Sequence, residues 1–140
     1  MQAARLFIAL DDDLSRGLDI IDGILGFKFG LPREADLVFD VRFLPNPYYI
    51  PELKHQTGLD EPVRNFVFKY QQTLDFTAKV EDLLSFLLPN YLDEGKTDLV
   101  IAVGCTGGKH RSVCIAKELF EFVSKKGYAA TLSHRDMGRR

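Results

Sequence analysis

The segment LVIAVGCTGGKHRS, Leu99 to Ser112, leaves few folds open to this chain. Leu99, Val100, Ile101, Ala102 and Val103 are an unbroken apolar, β-rich run of the kind that forms a strand buried on both faces. Gly104 ends the run, and Cys105, Thr106, Gly107, Gly108, Lys109 and His110 form a tight polar turn. From Arg111 the spacing becomes helical, with Val113, Ala116, Phe120 and Val123 along one stripe. A glycine turn between a buried strand and a helix N-terminus is a natural seat for an anion. Its amides converge, the helix dipole adds positive potential, and glycine lets a ligand approach the backbone closely. Lys109, His110 and Arg111 place three cationic donors on that seat, so a phosphate-sized anion is expected there.

The remaining composition is that of an ordinary globular domain, with 46% hydrophobic and 27% charged residues in 140. The net charge of −2 conceals an asymmetry. Residues 1–103 carry ten Lys/Arg against seventeen Asp/Glu, whereas residues 104–140 carry eight against three. An anionic partner is therefore expected at the turn or the basic C-terminal end. Cys105 and Cys114 make no disulfide framework, and no Cys/His spacing suggests zinc or another metal. No apolar run reaches the ~20 residues of a membrane-spanning helix. Asp11 to Asp13 follow Leu6 to Leu10 too closely for a secretory leader, so a cytoplasmic protein with no membrane partner is expected.

Residues 2–15 have weak helical periodicity and read as a linker or partial helix over 1–19. Residues 18–29 read as one extended, bent strand, with Ile21, Gly23, Leu25, Phe27 and Phe29 alternating. Residues 36–44, DLVFDVRFL, form a second strong strand. A long loop from Pro45 to Pro62 follows, and its Tyr48, Tyr49, Ile50 and Leu53 argue for order. Asp60, Glu61 and Pro62 are a helix start. Apolar positions from Val63 onward give one long or two consecutive helices to about Tyr91, with Pro89 breaking or kinking the end. Gly127 closes the last helix, and Tyr128 to His134 is a final strand. Strands alternating with helices predict an α/β domain with a largely parallel sheet flanked by helices.

In such a sheet, ligands sit at the carboxyl ends of the strands. Asp40, Arg42 and Asn46 would then face the glycine turn, although Asp40 and Arg42 could equally pair locally and Asn46 could serve a turn. The turn is not a nucleotide P-loop, because three residues rather than four separate Gly104 from Gly108-Lys109 and His110 follows. Cys105 to Ser112 also spells C-x-x-G-x-x-R-S, the spacing of a tyrosine-phosphatase loop. Cys105 would there be the nucleophile, Arg111 the phosphoryl clamp and Asp40 the general acid. Gly104 stands where that family has histidine.

Four separated blocks carry a wider resemblance: GFKFG at 26–30, VFDVRFLPNP at 38–47, TGLD at 57–60 and GCTGGKHRS at 104–112. With HRD at 134–136, the region from about residue 20 to 140 resembles the C-terminal domain of the RapZ family. These are RNase adapter proteins, also called UPF0042 nucleotide-binding proteins. The resemblance implies a regulatory domain without catalysis of its own. In the family, ATP or GTP is bound and hydrolysed by an N-terminal P-loop domain that this chain lacks. It also implies binding of small RNA and sensing of glucosamine 6-phosphate. By motif the pocket would comprise Asp40, Arg42, Asn46 and Tyr48 with Cys105, Thr106, Gly107, Gly108, Lys109, His110 and Arg111. Tyr48 departs from the histidine of the RNA-binding members.

An amino sugar carries an ammonium group, so Asp40 is expected to select it by charge pairing. RNA calls instead for spread positive charge, here Lys125, Lys126, Arg135, Arg139 and Arg140. A homo-oligomer and an RNase or signalling partner complete the expectation.

Overall fold

The computed structural model describes residues 2–10, 18–21, 24–27, 35–105 and 110–133. The apolar run from Leu99 forms β5 (Asp98–Cys105), buried from Leu99 onward. It lies in a four-stranded sheet with β1 (Gln2–Ala9), β4 (Leu37–Asp40) and β6 (Ala129–Ser133), in the order β4-β5-β1-β6. A separate antiparallel hairpin pairs β2 (Leu18–Ile21) with β3 (Ile24–Phe27), Ile21 opposite Ile24. The single bent strand expected over 18–29 is thus two strands. Asp22-Gly23 between them is among the strongest hairpin dipeptides.

Two further expectations are corrected together. The N-terminal segment is a strand, not a helix, across Gln2–Ala9, and it occupies the middle of the sheet. Ala4 and Leu6 to Leu10 are all buried, so the strand shows no polar–apolar alternation. A short, uniformly apolar run of this kind cannot be told from a buried helical turn by periodicity. The sheet is also not largely parallel. β4 pairs parallel with β5, but β1 runs antiparallel to both β5 and β6. β4, β5 and β6 do point the same way, as helical crossovers require. Inserting β1 between β5 and β6 replaces a parallel ladder with two antiparallel ones.

The helices among the described residues are α1 (Glu61–Phe68), α2 (Gln71–Glu94) and α3 (Arg111–Lys125). Asp60 and Pro62 start α1 as expected, with extended backbone at Asp60. Pro89 does not end α2, which runs on to Glu94 and stops where Gly95 adopts a left-handed φ of 95°. Gly127 does the same after α3, with φ 96°. The expected strand over 36–44 is shorter, because after Asp40 the chain turns and Val41 and Leu44 drop into the core.

One main core joins the helices to one face of the sheet. Leu6, Ile8, Leu99, Ile101 and Val103 pack with Val63, Val67, Leu84, Leu88, Ile115, Leu119 and Val123. Phe7, Ala9 and Val100 form a smaller buried cluster on the opposite face, with Ala35 against it. Among the described residues no helix is long and apolar enough to cross a membrane.

Between the helices, burial and the nearby Glu118 push the Glu81 carboxyl above its ordinary value of 4.5. A raised carboxylate pKa means the folded state holds its proton more tightly than the unfolded chain. Stability from this group is therefore present at low pH and is lost as pH rises from 4.5 through the raised value. Glu81→Gln should raise the melting temperature at pH 7 and lose that advantage below about pH 4. Thermal melts of both proteins across pH 3.5–7.5 check this; an equal gain at every pH would contradict it.

Candidate functional site

The parallel β4–β5 pair sets the site. Asp40 is in register with Gly104, and the Val41 amide donates to the Gly104 carbonyl at 2.8 Å. The two strands therefore end side by side, which brings the segment after Asp40 to the N-terminal end of α3. Buried Val41 and Leu44 then fix the path of that segment.

Arg111 locks the two parts together. It is only 4% exposed, and its Nη1 donates to the carbonyls of Arg42 (2.5 Å) and Leu44 (3.1 Å). The expected phosphoryl clamp thus has one terminal nitrogen on backbone acceptors. Its Nε is buried and has no hydrogen-bond partner among the described residues.

Asp40 and Arg42 face each other. The Arg42 Nε donates to both carboxylate oxygens (3.0 and 2.9 Å) and Nη2 to Oδ2 (2.6 Å). The Arg42 amide adds a bond to Oδ1 at 2.9 Å. These bonds, chiefly those from the Arg42 guanidinium, hold the Asp40 carboxyl below its ordinary value, with a smaller contribution from the charge of Arg111. The same pair raises the pKa of Arg42. Both side chains remain exposed, 57% for Arg42 and 43% for Asp40.

Asn46 serves the local turn: its Oδ1 accepts from the Tyr48 amide (3.1 Å) and caps the 3₁₀ turn Pro47–Tyr49. Tyr48 is half exposed, with Tyr49 edge-on at 5.7 Å and the Lys54 Nζ 4.8 Å from its ring centre. His110, the residue before α3, is buried, and its carbonyl accepts from the Cys114 amide. Cys105 is fully buried; its Sγ donates to Ser112 Oγ (3.3 Å) and accepts from the Ser112 amide (3.4 Å). The strand end is thereby tied to the first turn of α3.

Thr106, Gly107, Gly108 and Lys109 lie outside the described residues, as do Arg135, Arg139 and Arg140. Lys125 and Lys126 are exposed at the far end of α3, about 20 Å along the helix from Arg111.

Two contributors have no chemical signal in the sequence. The carbonyls of Arg42 and Leu44 are backbone groups. The TGLD block forms a turn in which Asp60 accepts from the Thr57 amide (2.8 Å) and the Leu59 amide donates to Thr57 Oγ1 (3.2 Å). That turn presses Gly58 onto the start of α3. A Cβ on Gly58 would meet the His110 carbonyl, lie 2.6 Å from the Cys114 nitrogen and 2.8 Å from Val113 Cβ. Cys114 Sγ donates to the Gly58 carbonyl at 3.6 Å, and burial pushes this thiol up to about 12.

Gly58→Ala should therefore cost about 1–3 kcal/mol of stability, since backbone and not a mobile side chain must yield. Chemical denaturation measures it, and an unchanged midpoint would contradict the packing. Cys114 should resist alkylation at pH 8 in the native protein and react fully once unfolded. Mass spectrometry after iodoacetamide pulses distinguishes the two; rapid native labelling of Cys114 would contradict the burial.

Residues 23–138 match the model of the RapZ C-terminal domain. The matched span includes β4, the whole helical layer, β5 and β6, while β1 precedes it. A nucleotide-binding protein of Caldicellulosiruptor saccharolyticus is 60% identical over 112 residues, covering 80% of this chain and 38% of that protein. One from Thermoanaerobacter sp. (strain X514) is 56% identical over 113 residues, 81% of this chain and 40% of the relative. One from Clostridium beijerinckii is 54% identical over 112 residues, with 80% and 38% covered. The aligned region thus spans about two-fifths of each relative's length. The chain belongs to the RapZ C-terminal domain family.

Proposed function

We propose that this chain is the regulatory, ligand-binding part of an RNase adapter protein. It senses an amino-sugar phosphate such as glucosamine 6-phosphate at the junction of β4, β5 and α3, and it binds small RNA through its basic C-terminal end. One observation carries the reading. The buried Arg111 holds the Asp40–Leu44 segment against the helix end, while its Nε stays buried without a partner among the described residues. A buried donor of this kind is satisfied by an incoming acceptor such as a phosphate oxygen. Arg42, whose carbonyl Arg111 holds, supplies a second cation, and Asp40 supplies the carboxylate that an ammonium group needs. The nucleotide binding in the relatives' names belongs, in this reading, to a P-loop domain outside the aligned region, holding ATP or GTP.

The C-x5-R phosphatase has one feature in its favour, the Cys105–Ser112 contact. It is the weaker reading: the thiol is fully buried, one Arg111 nitrogen is engaged by two carbonyls, and Asp40 is paired with Arg42. Cys105-dependent turnover of an aryl phosphate would reverse this order.

Isothermal titration with glucosamine 6-phosphate should give saturable binding. Arg111→Ala should weaken it by about 1.5–3 kcal/mol, the worth of a charge-assisted hydrogen bond. Unchanged affinity in a variant still folded by circular dichroism would contradict the assignment. Replacing Arg139 and Arg140 together by alanine should reduce the salt slope of RNA binding by about 1.4–1.8 and leave the sugar-phosphate titration unchanged. Loss of sugar-phosphate binding in that variant would contradict the division.

A further inference from the structure

We propose that a cleft at the far end of α3 from Arg111 captures the free C-terminus of a partner polypeptide that ends in an apolar residue. Its origin is a proline inside a helix. Pro89 lies within α2, which runs unbroken from Gln71 to Glu94. Proline has no N–H, so the Ser85 carbonyl, four residues earlier, receives no helical hydrogen bond from it. A helical carbonyl points along the axis toward the residue four on, which sets the Ser85 oxygen between two residues of the same cleft. The Ser85 hydroxyl is committed one turn back, to the Glu81 carbonyl at 3.0 Å. The carbonyl is therefore the group that this turn offers a ligand.

The cleft, about 250 Å³, is lined by Ser85, Leu88, Pro89, Lys126 and Tyr128. It is smaller than the ~300–1,000 Å³ of a drug-sized ligand site and suits a single residue. Leu88 is fully buried and Tyr128 packs partly buried against the core, while Pro89 and Lys126 are exposed. The site thus has an apolar base and an open mouth. Its other wall is the turn that ends α3. There the Lys126 and Gly127 amides donate to the Val123 and Ser124 carbonyls (3.1 and 3.0 Å), and the Tyr128 amide donates to Val123 at 3.2 Å. These helix-end carbonyls, which would repel an anion, are thereby satisfied. The Lys126 ammonium lies 5.1 Å from the Phe122 ring centre and makes no ion pair among the described residues.

An acceptor without its donor, a cation without its counter-ion and an apolar base match a chain terminus. Its last amide N–H goes to the Ser85 carbonyl, its carboxylate to Lys126, and its side chain onto Leu88, Pro89 and the Tyr128 ring. A free amino acid fits less well, since its own ammonium would sit beside Lys126. The open mouth lets the rest of the partner chain leave toward solvent.

The test uses the 140-residue chain and three probes: N-acetyl-glycyl-leucine, its C-terminal amide and free leucine. In proton–nitrogen correlation spectra, N-acetyl-glycyl-leucine should shift the Lys126, Gly127 and Tyr128 signals saturably. The amide and free leucine should each bind about fivefold more weakly or worse. Lys126→Gln should weaken the acetylated dipeptide about tenfold. Lys126 also belongs to the basic end expected to meet RNA, so Pro89→Ala, which changes no charge, is the decisive variant. It returns an N–H to the Ser85 carbonyl and should weaken the dipeptide about fivefold in a protein still folded by circular dichroism. Affinity unchanged in Pro89→Ala and lost only in Lys126→Gln would reduce the cleft to a surface cation and overturn the proposal. Equal binding of the amide or of free leucine, or no shift at these residues, would overturn it as well.

Discussion

A single buried guanidinium holds the functional end of this domain together. Arg111 opens α3, yet its Nη1 reaches across to the carbonyls of Arg42 and Leu44, nearly 70 residues earlier in the chain. Burying a charge is costly unless hydrogen bonds replace its water. Here the acceptors are carbonyls of a segment that has just left a strand and has no ladder partner of its own. Each side supplies what the other lacks. The Cys105–Ser112 contact and the docking of Gly58 on the His110 carbonyl brace the same helix end from the other directions.

The sheet explains why these parts meet. β4 and β5 form the one parallel pair among the described strands, so both chains emerge at the same edge and the loops following them are neighbours. β1 fills the middle of the sheet and makes β5 a central strand, paired on both sides. A strand held in this way gives the helix start that follows it a fixed position, which is what a charged constellation needs to be preorganised.

How much of this the sequence reveals depends on what kind of group does the work. The strand from Leu99, the helix from Arg111 and the stops at Gly95 and Gly127 were legible, because apolar runs, helical spacing and helix-ending glycines each leave a residue signature. So was the order of the Pro45–Pro62 loop, from its aromatic and aliphatic residues. β1 was not, since burial on both faces erased the alternation that marks a strand. The parallel sheet followed from that omission. Arg111 and Asp40 were identifiable as residue types, whereas their partners were not. Carbonyl oxygens carry no side-chain signal, and an Asp two residues before an Arg can point at its neighbour or at a ligand. The glycine turn itself, Thr106 to Lys109, lies outside the described residues.

The proposed function puts a sugar phosphate beside Arg111, at the junction of β4, β5 and α3. A crystal structure of the chain with glucosamine 6-phosphate tests it most directly. The expected complex has the sugar's amine within hydrogen-bond distance of the Asp40 carboxylate. Its phosphate lies on Arg42 and the Arg111 Nε, while Arg111 Nη1 still donates to the carbonyls of Arg42 and Leu44. A sugar phosphate seated elsewhere on the domain would contradict it.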